Sequence, residues 1–324
     1  MIALPKINFA HLPTPVEPLP RLSAVLNGPR LFVKRDDLTG LAMGGNKTRK
    51  LEYLLAEAQA HGAKTLITAG AAQSNHCRQT AAAAARFGMD CILVLAGEAS
   101  SPASGNLLLD RLLGAELVWA TWETRDRMLK EVFDSAWEAG RRPYLIPYGG
   151  SNPTGAAAYC FAIQELIGQM SDQLPDWIIF ASSSGGTQAG LVAGGKLFGY
   201  PGKILGISID ELAIDLRLRV ARLASEVLVL LNEPAYFTPD EVLVNDDYLG
   251  GGYGVMGQPE LEAISLFARY EGLLLDPVYT ARAAAGLIAL VRRHAFSEKE
   301  SVLFWHTGGM PALFADQYRP IVDV

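Results

Sequence analysis

Short apolar runs rich in β-branched residues alternate along this chain with longer Ala- and Leu-rich stretches of helical period. Such alternation predicts strand–helix units, which wind into open, twisted parallel sheets with flanking helices. The expected strands cover residues 31–34, 65–69, 91–95, 116–119, 144–147, 177–181, 204–209 and 301–306. The expected helices cover residues 47–59, 75–87, 105–113, 125–139, 155–169, 187–198, 213–231, 259–270 and 280–293. The predicted fold class is therefore α/β.

The length of the chain sets the number of domains that we expect. A chain of 324 residues with 50 % hydrophobic content allows about two domains, each with its own core. Two turns rich in glycine, at residues 44–45 and 148–155, are places where the chain could pass from one domain to the other. The segment between them could then form an inserted small domain.

Charge and cysteine content exclude several classes of protein. Only 19 % of the residues are charged and the net charge is −6, which leaves no basic face for nucleic acid. No apolar run reaches membrane-spanning length, and the N-terminus lacks the pattern of a signal peptide. Cys77, Cys91 and Cys160 are odd in number and lack metal-ligand spacing, which favours a reducing compartment. We expect a cytoplasmic protein that binds no metal, no membrane and no nucleic acid.

The first candidate site is Gly-Gly-Asn-Lys-Thr-Arg-Lys at residues 44–50, where a flexible loop enters a helix. Glycines let a flat ligand approach the backbone there, and Lys47 is suited to form a Schiff base with an aldehyde. The reaction needs a neutral amine, and the helix dipole with Arg49 and Lys50 would lower the pKa of Lys47. The alternative is a solvated basic first turn, which composition alone favours.

Two more loops follow apolar strands and lead into helices, where α/β proteins bind ligands. In Gly-Ala-Ala-Gln-Ser-Asn-His at residues 70–76, Ser74 or Asn75 caps a helix whose free N–H groups could hold a carboxylate; a plain cap is the alternative. In Ser-Ser-Ser-Gly-Gly-Thr-Gln-Ala-Gly at residues 182–190, small residues let backbone amides converge on a phosphate; a tight turn is the alternative. Neither nucleotide-binding fingerprint is matched.

Two tyrosines and one threonine stand in contexts that could place them beside a ligand. Tyr253 lies in Gly-Gly-Gly-Tyr-Gly, Tyr279 lies in Asp-Pro-Val-Tyr, and Thr307 follows the last strand in His-Thr-Gly-Gly. Either tyrosine could be a core aromatic. Glycines beside Tyr253 provide no side chains to pack against it, which favours a position facing a ligand.

These six motifs, taken in order, resemble the family of D-cysteine desulfhydrase and 1-aminocyclopropane-1-carboxylate (ACC) deaminase over nearly the whole chain. The resemblance implies a fold-type-II pyridoxal 5'-phosphate (PLP) enzyme, usually a homodimer, with its active site between a large and a small domain. Residues 1–49 and 156–324 would form the large PLP-binding domain, and residues 50–155 the small inserted α/β domain. The substrate would be a small amino acid.

The resemblance also implies roles for individual residues. Lys47 would join PLP as a Schiff base, Asn75 would bond its phenolic oxygen, and Thr307 would lie near its pyridine nitrogen. The phosphate would be held by Lys50 and by residues Ser184, Gly185, Gly186 and Thr187. The side chains implied to border the substrate are Gln73, Ser74, Asn75, Tyr253 and Tyr279, with Tyr279 also beside the ring. Catalysis is implied for Lys47, Ser74, Tyr253 and Tyr279.

One departure from the family pattern bears on the substrate. ACC deaminases have a glutamate directly after the tyrosine of the fifth motif, where this chain has Thr280. A hydroxyl leaves the pyridine largely neutral and a weaker electron sink, which suits loss of a good β-leaving group better than opening of a cyclopropane. We therefore predict α,β-elimination, with D-cysteine giving pyruvate, ammonia and sulfide.

Other substrates and other classes of protein stay open at this point. Cysteate, 3-chloroalanine and ACC, which would give 2-oxobutyrate and ammonia, are the alternative substrates. A PLP-binding protein without turnover is an alternative class, although it would not need Ser74, Tyr253 and Tyr279 together. A hydrolase with Ser74 as nucleophile is disfavoured because the Gly-x-Ser-x-Gly elbow is absent.

Overall fold

A computed structural model describes residues 3–99, 102–171 and 173–323 of the chain. The strands are β1 (Val16–Pro18), β2 (Arg30–Arg35), β3 (Thr65–Ala71), β4 (Asp90–Ala96), β5 (Glu116–Ala120), β6 (Pro143–Leu145), β7 (Trp177–Ser182), β8 (Lys203–Ser208), β9 (Leu243–Asn245) and β10 (Ser301–His306). The α-helices are α1 (Pro20–Leu26), α2 (Asn46–Ala60), α3 (Asn75–Arg86), α4 (Gly105–Leu112), α5 (Arg125–Glu138), α6 (Pro153–Gln169), α7 (Gly186–Phe198), α8 (Ala213–Leu230), α9 (Gln258–Glu271) and α10 (Thr280–Arg292).

These strands form two separate sheets. The larger sheet has the order β1-β2-β10-β7-β8-β9, and the smaller has the order β5-β4-β3-β6. All pairs are parallel except β1 with β2. The α/β fold with two parallel-sheet domains and flanking helices, predicted from the alternating pattern, is confirmed.

Apolar residues fill both faces of the larger sheet, as expected for parallel strands covered by helices. One core packs Val33, Ile207 and Phe304 against α1, α9 and α10. On the opposite face the cores contain side chains of α6, α7 and α8. Because β7 and β10 are parallel neighbours in this buried sheet, their carboxyl ends lie at the same edge.

The helix α2 joins the two domains. Leu51, Leu54 and Leu55 of this helix enter the core of the smaller sheet, and that core also contains Phe9. Both predicted domain boundaries lie inside helices, residues 49 and 50 in α2 and residues 155 and 156 in α6. Continuous helices thus run through both predicted boundaries. The predicted domain bounds, which place Phe9 in the large domain, stay a prediction.

The described residues bear on three expectations of the sequence analysis. Within 3–99, 102–171 and 173–323, no helix combines the length and apolarity needed to cross a membrane. The same residues contain no group of three or more His, Cys, Asp or Glu side chains arranged to hold a metal ion. The three cysteines are buried and unpaired.

Candidate active site

Three loops meet in a cleft between the two sheets, and each leaves the carboxyl end of a parallel strand. They follow β3, β7 and β10, which is where ligands bind in open α/β sheets. The cleft brings together eight of the residues that the sequence predicted for the site: Lys47, Ser74, Asn75, Ser184, Gly185, Thr187, Tyr279 and Thr307. Motifs that are far apart in sequence therefore form one site.

Lys47 lies in the first turn of α2 with its side chain in the cleft. Its Nζ donates to Asn46 Oδ1 at 2.9 Å. Burial lowers its pKa to about 8, opposed by the negative charge of Asp276 and assisted by the positive charge of Arg78. At pH 8 about half of the amine is therefore neutral and able to attack an aldehyde.

The prediction that Arg49 helps to lower the pKa of Lys47 is wrong. The guanidinium of Arg49 turns away from the cleft, where Nη2 lies 2.9 Å from Asp36 Oδ1 and 2.9 Å from Glu165 Oε1. These two carboxylates neutralise its charge. The cation that acts on Lys47 comes instead from α3, a contact that spacing along the chain does not reveal.

The N-terminus of α7 forms an anion cradle with the turn before α6. Gly186 N donates to Ser151 Oγ at 3.2 Å, and Ser151 Oγ lies 2.8 Å from Ser184 Oγ. A Cβ at Gly186 would lie 2.4 Å from Ser151 Oγ and 2.9 Å from Lys50 Nζ, so only glycine fits there. Gly185 has φ of 81°, a left-handed conformation that also favours glycine.

Lys50 supplies the positive charge behind this cradle. Its side chain is buried, Nζ donates to Gly149 O at 3.0 Å, and no carboxylate pairs with it in the described part of the chain. Burial first, and then the charge of Lys47, hold the pKa of Lys50 well below its ordinary value. A buried cation beside converging N–H and hydroxyl donors suits a phosphate, because the phosphate provides the missing negative charge.

The loop after β3 provides donors at the other end of the cleft. Ser74 is the N-cap of α3 and accepts from Cys77 N at 3.2 Å, which leaves its hydroxyl hydrogen free. Asn75 Oδ1 accepts from Asn106 Nδ2 at 2.9 Å, so the amide nitrogen of Asn75 remains available as a donor. Such a donor suits the phenolic oxygen of PLP.

Gln73 stands apart from the cleft-lining residues. Its Oε1 accepts from Asn106 N at 2.8 Å and its Nε2 donates to Ser104 O at 3.0 Å. These bonds fasten the loop to the start of α4. Its predicted substrate contact stays a prediction, since the amide already has partners in this conformation.

Tyr253 does not line the cleft itself but contacts Tyr279, which does. Their hydroxyl oxygens are 2.7 Å apart, and burial raises the pKa of each phenol well above its ordinary value. Both are therefore protonated at neutral pH, and each hydroxyl can donate one hydrogen bond while it accepts another. The ring of Trp122, from the smaller domain, packs edge-on against Tyr253 with centroids 5.7 Å apart. This aromatic contact joins the smaller domain to the pair of tyrosines beside the cleft.

Thr280 does not take the position of a pyridine partner. It is fully buried, and its Oγ1 lies 2.8 Å from Asp276 Oδ1 and accepts from Asp276 N at 2.7 Å. Thr307 lines the cleft, and its place near the ring nitrogen stays a prediction. Thr280 and Thr307 were both expected to favour elimination of a good leaving group, but of the two only Thr307 lines the cleft.

Sequence reasoning missed several residues of the site. Tyr148, Ser151 and Ser183 lie in or beside the cleft, and Asp276 acts on Lys47 through its charge. Tyr148 and Ser151 belong to a glycine-rich turn at a strand end, a signal that was interpreted only as a domain boundary. Asp276 is part of the fifth motif, but its burial beneath the loop could not be read from the motif.

The fold and the cradle for phosphate, with a lysine of lowered pKa in the same cleft, define the class of PLP-dependent enzymes. The chain belongs to the pyridoxal-phosphate dependent enzyme family, whose pattern it matches over residues 7–308. Its cofactor is PLP and its fold is type II.

Three solved structures are similar to this chain. A homologue of ACC deaminase is 36 % identical, with a TM-score of 0.88 over 96 % of this chain and 94 % of that one. A PLP-dependent aspartate racemase is 19 % identical, with a TM-score of 0.66 over 91 % and 90 % of the two chains. An L-serine ammonia-lyase from Rhizomucor miehei is 17 % identical, with a TM-score of 0.68 over 96 % and 99 %. The last two share the fold.

Proposed function

We propose that this protein catalyses PLP-dependent α,β-elimination on a small amino acid, with D-cysteine as the substrate that fits best. The products are pyruvate, ammonia and sulfide, formed with consumption of one water. The observation that carries the proposal is that one cleft holds a lysine amine with a pKa of about 8 beside an anion cradle backed by the unpaired cation Lys50. An amine in that position can both bind an aldehyde and accept a proton.

Each end of the cleft has its own task in this reaction. When bound, PLP withdraws electrons from the α-carbon and so acidifies the α-proton. Lys47 takes that proton, because its lowered pKa makes its amine a base near neutral pH. The N-terminus of α3 with Ser74 holds the substrate carboxylate. Tyr279, hydrogen bonded to Tyr253, would donate a hydrogen bond to the departing sulfur.

The surroundings of the ring favour a good leaving group. No carboxylate is among the cleft-lining residues of the described chain, and Thr280 is already bonded to Asp276. Thr307 would offer only a hydroxyl to the pyridine nitrogen of bound PLP, which would leave that nitrogen largely unprotonated. Loss of thiolate, sulfite or chloride tolerates this because the electrons depart with the group. Cysteate and 3-chloroalanine are therefore alternative substrates within the same mechanism.

ACC deamination is the second candidate, and the similarity to an ACC deaminase homologue at 36 % identity supports it. Opening the cyclopropane expels carbon, which needs a stronger electron sink than Thr307 provides. We place it second for that reason. A PLP-binding protein without turnover is a third reading, and the proton donors Tyr253 and Tyr279 argue against it.

Two measurements test the proposed function. Borohydride reduction of the PLP-loaded protein, followed by peptide mass spectrometry, should place the label on Lys47; a label on another lysine contradicts the proposed site.

A substrate panel of D- and L-cysteine, cysteate, 3-chloroalanine and ACC should give most pyruvate from D-cysteine. Formation of 2-oxobutyrate from ACC at a higher rate would reverse the order of the two candidates.

We further propose that the enzyme is a cytoplasmic homodimer. Three buried, unpaired cysteines suit a reducing compartment. Two neighbouring grooves that share Met43 carry exposed apolar side chains, and a second copy of this chain would cover them. We call this surface the apolar patch; it consists of Leu38, Met43, Leu108, Leu274 and Phe314.

A further inference from the structure

The loop that leads into Lys47 has an unusual backbone. All six residues from 40 to 45 have positive φ, from 22° at Leu41 to 124° at Gly45. Three of them, Leu41, Ala42 and Met43, carry side chains, and left-handed conformations cost such residues free energy. A run of this kind persists only where the surrounding structure holds it in place.

Arg78 of α3 donates hydrogen bonds to the backbone of this loop. Its side chain is fully buried, its Nη1 donates to Ala42 O, and its Nη2 donates to Gly44 O at 3.1 Å. The planar guanidinium spans both carbonyls at once, which a lysine ammonium cannot do in the same fixed geometry. Lys47 lies three residues beyond Gly44, so these two hydrogen bonds contribute to its position.

The charge of Arg78 is not neutralised by an ion pair. Asp110 is the nearest acid on α4, yet neither of its carboxylate oxygens has a hydrogen-bond partner within the described ranges, and burial raises its pKa to about 8. At neutral pH it is therefore mostly uncharged. Asp276 has its carboxylate occupied by the N–H groups of residues 278 to 280. Within the described residues the guanidinium therefore has no ion-pair partner, although the charges of Asp110 and Asp276 act on it from a distance.

Four charged or titratable groups face Lys47 from the elements around it. Asp276, before α10, favours its protonated form, and Arg78, on α3, disfavours it. Lys50, on α2, and His76, on α3, are also buried there, and the charge of Lys47 lowers the pKa of both. Arg78 is the one of these groups that also bonds the loop carrying Lys47.

We propose that Arg78 is a positioning residue for Lys47, which fixes the left-handed loop 40–45 through two carbonyl groups and repels a proton from the lysine amine. The inference rests on the proposed attachment of PLP to Lys47. One buried side chain would then determine both where the Lys47 amine lies and how readily it loses its proton.

The test measures Lys47 directly in the full-length protein by acylation with acetic anhydride across a pH series, with peptide mass spectrometry of Lys47. The wild-type midpoint should lie near pH 8. Arg78→Gln should raise this midpoint by a fraction of a pH unit, because it removes the charge of Arg78 and leaves the larger effect of burial in place. Arg78→Lys should keep the midpoint, yet hydrogen exchange of residues 40–45 should become about tenfold faster because one carbonyl loses its donor.

Thr80→Val is the matched control. Thr80 lies on the same helix, is fully buried, and its hydroxyl has no hydrogen-bond partner within the described residues. Its midpoint and loop exchange should match the wild type. An unchanged midpoint in Arg78→Gln, or an unchanged loop exchange in Arg78→Lys, overturns the proposal. Loss of folding in both Arg78 variants, with Thr80→Val folded, also overturns it, since Arg78 would then serve the stability of the core.

A further measurement distinguishes the role of Arg78 from the proposed attachment of PLP to Lys47. Added PLP should protect Lys47 from acylation if Lys47 is the attachment site. Absence of protection contradicts the attachment, whereas the midpoints of the Arg78 variants without PLP still decide the role of Arg78.

Discussion

The phosphate-binding role proposed for Lys50 comes at the expense of the stability of the cofactor-free protein. Its ammonium is buried beside the anion cradle, and its pKa is held well below the ordinary value for a lysine. A folded-state pKa that is lowered disfavours folding below the pKa of the unfolded chain, so the cofactor-free protein should lose stability as pH falls. A bound phosphate removes that penalty by supplying a negative charge.

We therefore expect Lys50→Met to separate affinity from stability. The variant should lose the rise in melting temperature that inorganic phosphate gives the wild type, because the cation that compensates the anion is absent. Without phosphate its melting temperature should equal or exceed that of the wild type, since no charge is buried. Thermal unfolding with and without phosphate tests both expectations, and a phosphate response equal to that of the wild type contradicts the role of Lys50.

Tyr279 gives a second prediction at the scale of one residue. Its phenol is protonated at neutral pH and lies 2.7 Å from that of Tyr253. Hydrosulfide is far more basic than chloride, so its departure gains more from a hydrogen-bond donor. Tyr279→Phe should therefore lower kcat for D-cysteine by about 10²-fold or more, while kcat for 3-chloroalanine changes by less than about tenfold.

Steady-state kinetics with both substrates checks this expectation, and Tyr253→Phe serves as the comparison. That variant removes the partner of Tyr279 but leaves its phenol in the cleft, so its effect on D-cysteine turnover should be smaller. Equal losses for thiol and chloride substrates in Tyr279→Phe would show that the ring, and not the proton, is what matters.

At the scale of elements, the close packing of α7 against α6 places the anion cradle. A Cβ at Gly190 of α7 would lie 2.0 Å from Ala156 O, so the two helix backbones approach each other at this glycine. Gly190→Ala should force the helices apart and lower the free energy of unfolding by about 1–3 kcal/mol. Affinity for PLP should fall with it, because the N-terminus of α7 moves.

Gly168→Ala is the matched control for this prediction. Gly168 lies in α6 with no atom within 4 Å of its added Cβ, so alanine meets no neighbour there. The change should raise the free energy of unfolding by about 0.5 kcal/mol through helix propensity alone. Urea unfolding of both variants decides, and equal effects of the two substitutions would argue against the contact between α6 and α7.

Helices and strands are also the scale at which the sequence was most informative. All eight predicted strands and all nine predicted helices are present, because long apolar runs and helical periods depend on local pattern. The short strands β1 and β9 and the helix α1 were missed, since three to seven residues carry too little periodicity. Motifs located Lys47 and the cradle, whereas contacts between distant helices, such as that of Arg78 with the loop 40–45, depend on packing that no local pattern encodes.

At the scale of the whole molecule, the apolar patch is a group of large apolar side chains that face solvent in the monomer. Phe314 is 64 % exposed, and Leu108, which lines the same groove, is 44 % exposed. Large apolar side chains grouped in this way are typical of interfaces. Met43 of the patch belongs to the loop that precedes Lys47, so a partner on this surface would also rest against the active site.

Phe314→Asp should therefore shift the protein from dimer to monomer, because an interface core does not tolerate an unpaired carboxylate. Sedimentation velocity over a concentration series measures the shift. Leu218→Asp is the control, since Leu218 is 54 % exposed on α8 outside the patch and its substitution should leave the assembly unchanged. A wild-type protein that is monomeric at micromolar concentration, or a Phe314→Asp variant that remains dimeric, would leave the patch without the partner proposed for it.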